Sequence, residues 1–419
     1  MEERTDLALS RAADSGSRAG VYVHFPWCLA KCPYCDFVSY VEPAIDHAGY
    51  ASAVLRELDA RAPAFVGRRI ESIFFGGGTP SLWNSNELGR VLAGVRATLD
   101  TCGELEVTVE CNPTSLDEGK TRALADVGVN RLSIGVQSLD DQRLRFLGRL
   151  HDAQGAIAAV SGALRAGMRR VSADLIFGLS GQTPADARDE AKALVDLGLA
   201  HVSAYQLTIE AGTRFGELAR RGRLPMAEDA AVADSFAAID ETMADRGLRH
   251  YEVSNYARPG EEARHNLGYW RGDEYLGLGC GAYGFVREAC EPRAKGPEPL
   301  SRGAQGTRWR NAVSPERYVE AARATPRGSA LDGNGIEESR EALDAQTLLR
   351  ERIMLGLRVA EGIDLADAAQ ELGTQGWTAE RLRAAVWLED RGRIVRDGSR
   401  VRIPHGAWLW TDDTSARLF

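Results

Sequence analysis

Lysine is scarce in this chain: only four of its 51 basic residues are lysine, and the rest are arginine. Such a bias reads as the imprint of a GC-rich gene before it reads as function. A basic excess is also missing. Acidic residues outnumber basic ones 60 to 51, a net charge of −9, which argues against a generally basic nucleic-acid surface, because such proteins neutralise many phosphates with Lys and Arg. No apolar run approaches the ~18 residues of a membrane span, and the first twenty residues alternate charges with Ala and Ser in place of a secretory h-region. A cytoplasmic protein with no membrane span is expected. The seven cysteines are an odd number, a poor disulfide framework in a chain without export signals.

What is present is a globular composition over 419 residues, with 44% hydrophobic residues, enough for more than one small module. Residues 1–19 lack periodicity and read as a flexible tail. Runs rich in Val, Ile, Phe and Tyr then start near Val21, Ser72, Leu105, Arg131, Val171 and His201. Strands separated by helical stretches at roughly 30-residue intervals are the mark of repeated βα units on a parallel sheet. Helix starts are signalled by Ser115 with Glu118 as a capping box, by Thr183 before Pro184, and by Asn84 with Glu87. Six such units without a dinucleotide fingerprint predict a partial (β/α)6 TIM-like barrel over residues 20–245, whose ligand site lies at the C-terminal strand ends. Gly76–Pro80, Glu110, Gln137 and Asp174 all fall at such ends.

Residues 246–313 read as a barrel extension, with one more strand at His250–Tyr256 and a Gly, Pro and Arg-rich loop over 287–313. A helix begins near Ser314–Pro315. Residues 314–419 read as a smaller helical, winged-helix-like domain, with helices around Ser339–Leu357, Asp364–Leu372 and Thr378–Asp390. A hairpin turning at Asp397–Gly398 follows. From Ile336 onward there are twelve Arg and fifteen acidic residues, a balance that favours a docking or cover module over a DNA reader.

Cys28, Cys32 and Cys35 form C-x3-C-x2-C directly after the first strand. Three thiolates on one loop can hold three irons of a cubane cluster, leaving the fourth iron open to a small molecule. Zinc is the alternative, with His24 as its fourth ligand, and three unliganded structural cysteines are another. The remaining four cysteines, Cys102, Cys111, Cys280 and Cys290, are scattered singly.

With Tyr22-x-His24, GGGTPSL at Gly76–Leu82, ECNP at Glu110–Pro113, GVQS at Gly135–Ser138 and DLIFGL at Asp174–Leu179, this spacing resembles the radical S-adenosylmethionine superfamily, in its coproporphyrinogen oxidase-like branch. The resemblance covers residues 20 to 285. It implies a 4Fe–4S cluster whose open iron is chelated by S-adenosylmethionine, and one-electron reduction that cleaves the sulfonium. By motif position it implies that Tyr22, Gly77, Thr79, Glu110, Gln137, Arg149 and Asp174 contact S-adenosylmethionine.

The oxidases of that branch carry a further Cys two residues after the third cluster ligand, where this chain has Phe37. CPYCDF, and HNLGYW at His265–Trp270, are instead similar to the haem chaperone family HemW, which implies haem bound near His265, Tyr269 and Trp270. A neutral imidazole is a common axial ligand of haem iron, and Tyr and Trp rings pack on porphyrin faces. The alternative is a hydrogen-bonded His beside core aromatics. The resemblance implies transfer of haem to an acceptor protein of unknown identity and an electron donor for the cluster. Rival readings are an oxygen-independent coproporphyrinogen III oxidase and a zinc-containing interaction module. Homodimerisation and peripheral membrane association stay open, and nothing calls for nucleic acid.

Overall fold

The computed structural model describes residues 17–287, 306–326, 331 and 335–419. Six parallel strands run in sequence order: β1 (Ser17–Phe25), β2 (Arg68–Gly77), β3 (Thr101–Cys111), β4 (Arg131–Gln137), β5 (Arg170–Phe177) and β6 (His201–Gln206). Each run of β-branched and aromatic residues became a strand because helices cover the outer face and the barrel interior takes the other. Val21, Val23, Ile73, Phe75, Val107, Val109, Leu132 and Ile134 are sealed from solvent. The helices between them start on hydrogen-bonded caps, among them Asn84, Asp152 and Thr183, whose hydroxyl and Asp186 form a reciprocal capping box.

Several expected boundaries move. The first strand starts at Ser17, so residues 17–19 leave the expected tail, because Ser17 and Arg18 already pair with Arg68 and Arg69. Residues 1–16 lie outside the described residues. The helix Glu118–Asp126 is capped by Asp117, not by Ser115, which ends a 3-10 turn after Pro113. Glu118 pairs instead with Arg122 and Arg165. The single strand at His250–Tyr256 is a tight hairpin, β7 (Arg249–Glu252) and β8 (Asn255–Ala257), and β8 pairs antiparallel with β6.

Beyond the barrel the chain adds to the other edge of the sheet. Strand β9 (Glu274–Leu278) pairs parallel with β1, and β10 (Tyr283–Arg287), β11 (Gly306–Asn311) and β12 (Glu337–Leu343) extend it antiparallel. The expected loop 287–313 therefore ends in a strand. The expected helix Ser339–Leu357 is a strand up to Leu343 and a helix only from Ala345 to Gly356. Charged residues at 337–341 gave that segment a helical look, but edge pairing with β11 decides its form. The helix Pro315–Ala324, capped by Ser314 as expected, packs on the barrel helix His47–Arg61. Residues 315–343 thus belong with the sheet, and the C-terminal module starts later than residue 314. That module comprises the helices Ala345–Gly356, Leu365–Glu371 and Ala379–Glu389 with a three-stranded sheet whose hairpin turns at Asp397–Gly398, a winged-helix-like arrangement over its own apolar core.

One buried carboxylate joins barrel and extension. Glu57, fully buried, accepts from Arg61 Nε (2.7 Å) and Asn311 Nδ2 (2.8 Å) on one oxygen, and from Gly279 N (2.9 Å) and Tyr318 OH (2.7 Å) on the other. Arg61 continues to Glu337 at 2.9 Å and lies over the Trp309 ring. Every donor belongs to a different element, so the carboxylate fixes their relative placement. Removing one partner of a buried ionic network strands the others, at a cost of about 3–5 kcal/mol. Glu57→Ala should lower the unfolding free energy by that amount in urea titration, and Glu57→Gln by less; an unchanged midpoint would show that the network contributes nothing.

Candidate active site at the strand ends

The loop after β1 folds back on itself, pinned at its base by Cys28 N to Tyr40 O (2.8 Å) and Tyr40 N to Pro26 O (2.7 Å). Within it Cys35 N bonds to Cys32 O at 3.2 Å, turning the chain so that three half-buried free thiols share one short loop. Segments that follow the neighbouring strands hold the loop in place. Phe215 N reaches Pro33 O at 2.8 Å, and the positive φ of Gly148 lets its backbone lie where any Cβ would strike Pro33.

Donors face the sulfurs. Thr79 Oγ1 donates to Cys28 Sγ at 3.3 Å, and Arg149 Nη1 to Cys32 Sγ at 3.4 Å while Nη2 holds Gly135 O. The Arg149 Nε is buried without a partner. Burial pushes the Cys28 and Cys35 thiols up, and for Cys28 the Thr79 hydroxyl and Arg149 work against it. A guanidinium and a hydroxyl aimed at sulfur suit an anionic thiolate-bound cluster. Zinc fares worse. Its expected fourth ligand, His24, has both ring nitrogens engaged, with Tyr22 OH at 3.0 Å and Val38 O at 2.7 Å. Burial lowers that imidazole's pKa to about 4, so it is neutral, and it is these two hydrogen bonds, not its charge, that occupy it. Among the described residues no three His, Cys, Asp or Glu side chains are arranged to hold a single metal ion, whereas a cubane spreads its thiolates over separate irons.

Below the loop is a cavity of about 230 Å³ inside the barrel, lined by Tyr22, Phe74, Glu110, Asp174, His265 and Tyr269 among others. Glu110 sits at the end of β3 and accepts from Gly77 N at 3.0 Å. Burial, then the charge of Asp174, raises its pKa to about 8. Asp174, raised by burial, is moderated by the Ser203 and Ser133 hydroxyls, Ser133 lying at 3.1 Å. Tyr22 is buried beside Glu110 and points at His24. Gln137 ends β4 with φ 69°, the left-handed region, which the next turn imposes on a non-glycine residue. Two buried carboxyls in one cavity wall, with Arg131 beside them, can take hydroxyls or an ammonium from a ligand. Glycines 76–78 have a packing role as well: a Cβ at Gly77 would fall 2.4 Å from the His24 ring, and one at Gly78 would strike the Trp27 backbone.

The second sequence motif lies at the other end of the barrel. The helix Arg264–Arg271 crosses the N-terminal strand ends as a floor. Its N-cap, Ala263, has no capping side chain, and Glu106 on β3 takes that role from across the barrel. Glu106 accepts from Arg264 N (3.2 Å), His265 N (3.1 Å) and Arg170 Nη1 (2.8 Å). Burial would raise this carboxyl, but Arg131, Arg170 and the two amides outweigh it and hold the pKa below the usual range. His265 is buried between Ser72 Oγ (2.9 Å to Nδ1) and Tyr269 OH (3.1 Å to Nε2), and its ring stacks on Phe74. Burial lowers its pKa to about 4 against the pull of Glu106, so the imidazole is neutral. Trp270 turns away, bonding Glu252 through Nε1 with Arg358 over its ring.

Sequence reasoning passed over Arg131, Ser133 and Glu106, all of which face the barrel interior. Their signal is alternation: Arg131, Ser133, Gly135 and Gln137 on β4, and Glu106, Thr108 and Glu110 on β3, put polar residues at every second position of apolar strands.

The Radical SAM superfamily profile matches residues 22–194, and the HemN C-terminal domain profile matches residues 343–410. Heme chaperone HemW of Mycobacterium tuberculosis is 34% identical over 389 residues, 92% of this chain and 91% of that protein. The chain belongs to the HemW family of radical S-adenosylmethionine proteins. Heme chaperone HemW of Escherichia coli is 40% identical over 64% of this chain and 70% of its own length. Radical S-adenosyl methionine domain-containing protein 1, mitochondrial, of Danio rerio is 34% identical over 85% and 76%. Among solved structures, coproporphyrinogen III oxidase (HemN) from Escherichia coli superposes with a TM-score of 0.76 at 20% identity, over 99% of this chain and 93% of that one. That likeness establishes the shared fold: a radical S-adenosylmethionine barrel with a HemN-type C-terminal domain. No helix among the described residues is long and apolar enough to cross a membrane.

The Glu110 carboxyl gives a pH signature for this HemW-family chain without any cofactor. Between its ordinary value of 4.5 and about 8 the folded chain keeps a proton that the unfolded chain has released. Its contribution to stability is therefore full below the ordinary value and lost as pH rises through about 8. Glu110→Gln should flatten the fall in thermal midpoint over this range. Parallel profiles for parent and variant would show that Glu110 is not held protonated.

Proposed function

We propose that this chain binds a 4Fe–4S cluster through Cys28, Cys32 and Cys35, takes S-adenosylmethionine beside it, and holds haem for delivery to an acceptor protein in the cytoplasm. The observation that carries the reading is a single barrel with the donor-faced thiol loop at one end and a buried neutral imidazole at the other. When bound, the reduced cluster and S-adenosylmethionine supply one-electron cleavage of the sulfonium, with electrons from an external donor. Arg149 and Thr79 steady the sulfur side. Tyr22, Gly77, Glu110, Gln137 and Asp174 surround the ligand, with Glu110 and Asp174 supplying acceptors for its hydroxyls and ammonium. His265 and Tyr269 serve haem, and Trp270 anchors their helix to the hairpin. Phe37, exposed at the position where the oxidases carry a further Cys, weighs against oxidative decarboxylation of coproporphyrinogen.

Anaerobic reconstitution tests the cluster: Cys28→Ala should abolish iron and sulfide loading, while Cys290→Ala leaves it intact. Cys290 itself lies outside the described residues. Equal loss in both, or zinc without a brown chromophore near ~400 nm, would sink the cluster assignment. For haem, His265→Ala should shift or erase the Soret band of the complex; an unmoved spectrum would place the ligand elsewhere. Turnover of coproporphyrinogen by the loaded protein would favour the oxidase reading instead.

A further inference from the structure

The floor helix is tied at both ends to one short hairpin, formed by β7 and β8. Tyr251 OH accepts at 3.1 Å from the amide of Ala263, the residue that starts the helix, and meets Nε2 of His201 on β6 at 2.9 Å. Glu252 is buried beside it in the chain. One of its oxygens accepts from Ser254 N at 3.1 Å, and the other accepts from the indole N–H of Trp270, near the far end of the helix. His265 and Tyr269 lie between these two ties. A helix of only eight residues has too few internal hydrogen bonds to be stable alone, so what grips its ends decides where it sits.

The same two hairpin residues are bonded through their main chain to the C-terminal module. Just after the helix Ala345–Gly356 the chain runs alongside the hairpin: Val253 N donates to Arg358 O at 2.8 Å, Ala360 N donates to Tyr251 O at 3.0 Å, and Val359 pairs antiparallel with Glu252. Leu357 and Ile363, on either side of this strip, belong to the module's apolar core, so strip and module move as one. From the strip the Arg358 guanidinium lies over the Trp270 ring, 6.0 Å from its centre. The module also meets the end of the helix directly. Arg271 pairs with Glu361 at 3.4 Å, and Arg352 Nη1 reaches Gly272 O at 3.4 Å, beside Arg287 of β10 at 2.7 Å. Gly272 turns there with φ 70°, and a Cβ on it would fall 2.3 Å from the Arg352 side chain.

Resting on the haem role proposed above, we propose that Tyr251 and Glu252 are positioning residues for His265, and that through them the C-terminal module sets how firmly haem is held. With the module seated, both ends of the helix are fixed and the imidazole is presented in one orientation. An acceptor protein that draws the module off the hairpin loosens both ends together, which couples docking to release. Partners that orient a metal-bound histidine from outside the ligand shell commonly contribute about 10–100-fold in affinity, enough for such coupling to matter.

The test titrates the unmodified protein and three variants with haem, following the Soret band, and measures iron and sulfide loading at the opposite end of the barrel in parallel. Glu252→Ala should weaken haem at least about tenfold and move the Soret maximum, with cluster loading at the parent level. Glu252→Gln, which keeps an acceptor for the indole, should restore both haem readouts. Arg358→Ala, a change within the module, should weaken haem in the same direction. Parent-like affinity and spectrum in a folded Glu252→Ala protein, or a Gln variant as impaired as the Ala variant, overturns the positioning role. Equal loss of haem and cluster marks a general loss of structure and overturns it too. Parent-like haem binding by Arg358→Ala overturns the module's control, whether or not Glu252→Ala folds. Absence of any haem complex with the unmodified protein would instead remove the haem role itself.

Discussion

The carboxylate of Glu106 is the contact on which the arrangement of the site turns. It lies on a barrel strand, yet it caps a helix nearly 160 residues further along the chain, accepting from the amides of Arg264 and His265. Those amides would otherwise be unsatisfied donors at a helix start, because Ala263 offers no side-chain oxygen. Arg170 supplies the countercharge at 2.8 Å, and Arg131 adds to it, so the buried ion is paired and fully hydrogen-bonded. Everything said of His265 follows from this anchoring. The helix position fixes the Ser72 and Tyr269 contacts, and these fix the ring against Phe74.

The barrel is thus polarised along its axis. At the C-terminal strand ends, a loop of three thiols faces a guanidinium and a hydroxyl, and protonated or partly compensated carboxyls wait beneath it. At the N-terminal ends arginines meet acids: Arg131 and Arg170 face Glu106 inside the floor, and Arg18, Arg69, Arg264 and Arg271 stand among Glu71, Glu104 and Asp273 outside it. An enzyme barrel places its chemistry at the first end. Here the other end is closed by a separately anchored helix.

Much of this was legible in the residues. All six barrel strands were signalled by their apolar runs, and Thr183 and Asn84 by their cap chemistry, because these are short-range properties. Cys28, Cys32 and Cys35 were legible as one thiol loop because their spacing is local. What was hidden depends on distant partners. Glu337–Leu343 is rich in charge and takes strand form only because β11 presents an edge. Ser115 looked like a cap, and Asp117 won because the proline-led 3-10 turn consumes residues 113–115 first. Glu57 and Glu106 carry no motif at all: each is an acid in an ordinary amphipathic run, and its role appears only when three donors from other elements meet on it. The GGG turn was legible as a site marker, but its glycines are required at least as much by His24 and Trp27 on the neighbouring chain segment.

The neutral state of His265 bears on how such a floor can serve a metal ligand. An imidazole whose pKa lies near 4 is unprotonated at neutral pH, the form that coordinates iron. Both ring nitrogens are occupied, so ligation exchanges one hydrogen bond, to Ser72 or to Tyr269, for a bond to metal. A net hydrogen bond is worth about 0.5–1.5 kcal/mol, a small barrier beside the strength of axial ligation. The two partners are not equivalent. Ser72 is a strand residue whose small hydroxyl turns about a single bond, whereas Tyr269 sits one turn along the helix from His265 with its ring edge-on to His265 at 4.8 Å and to Tyr275 at 4.7 Å. Release of the Ser72 bond is therefore the easier exchange, and it frees Nδ1. Tyr269 would then keep the imidazole oriented from behind through the other nitrogen, the arrangement by which a second partner commonly fixes the tautomer and direction of a metal-bound histidine.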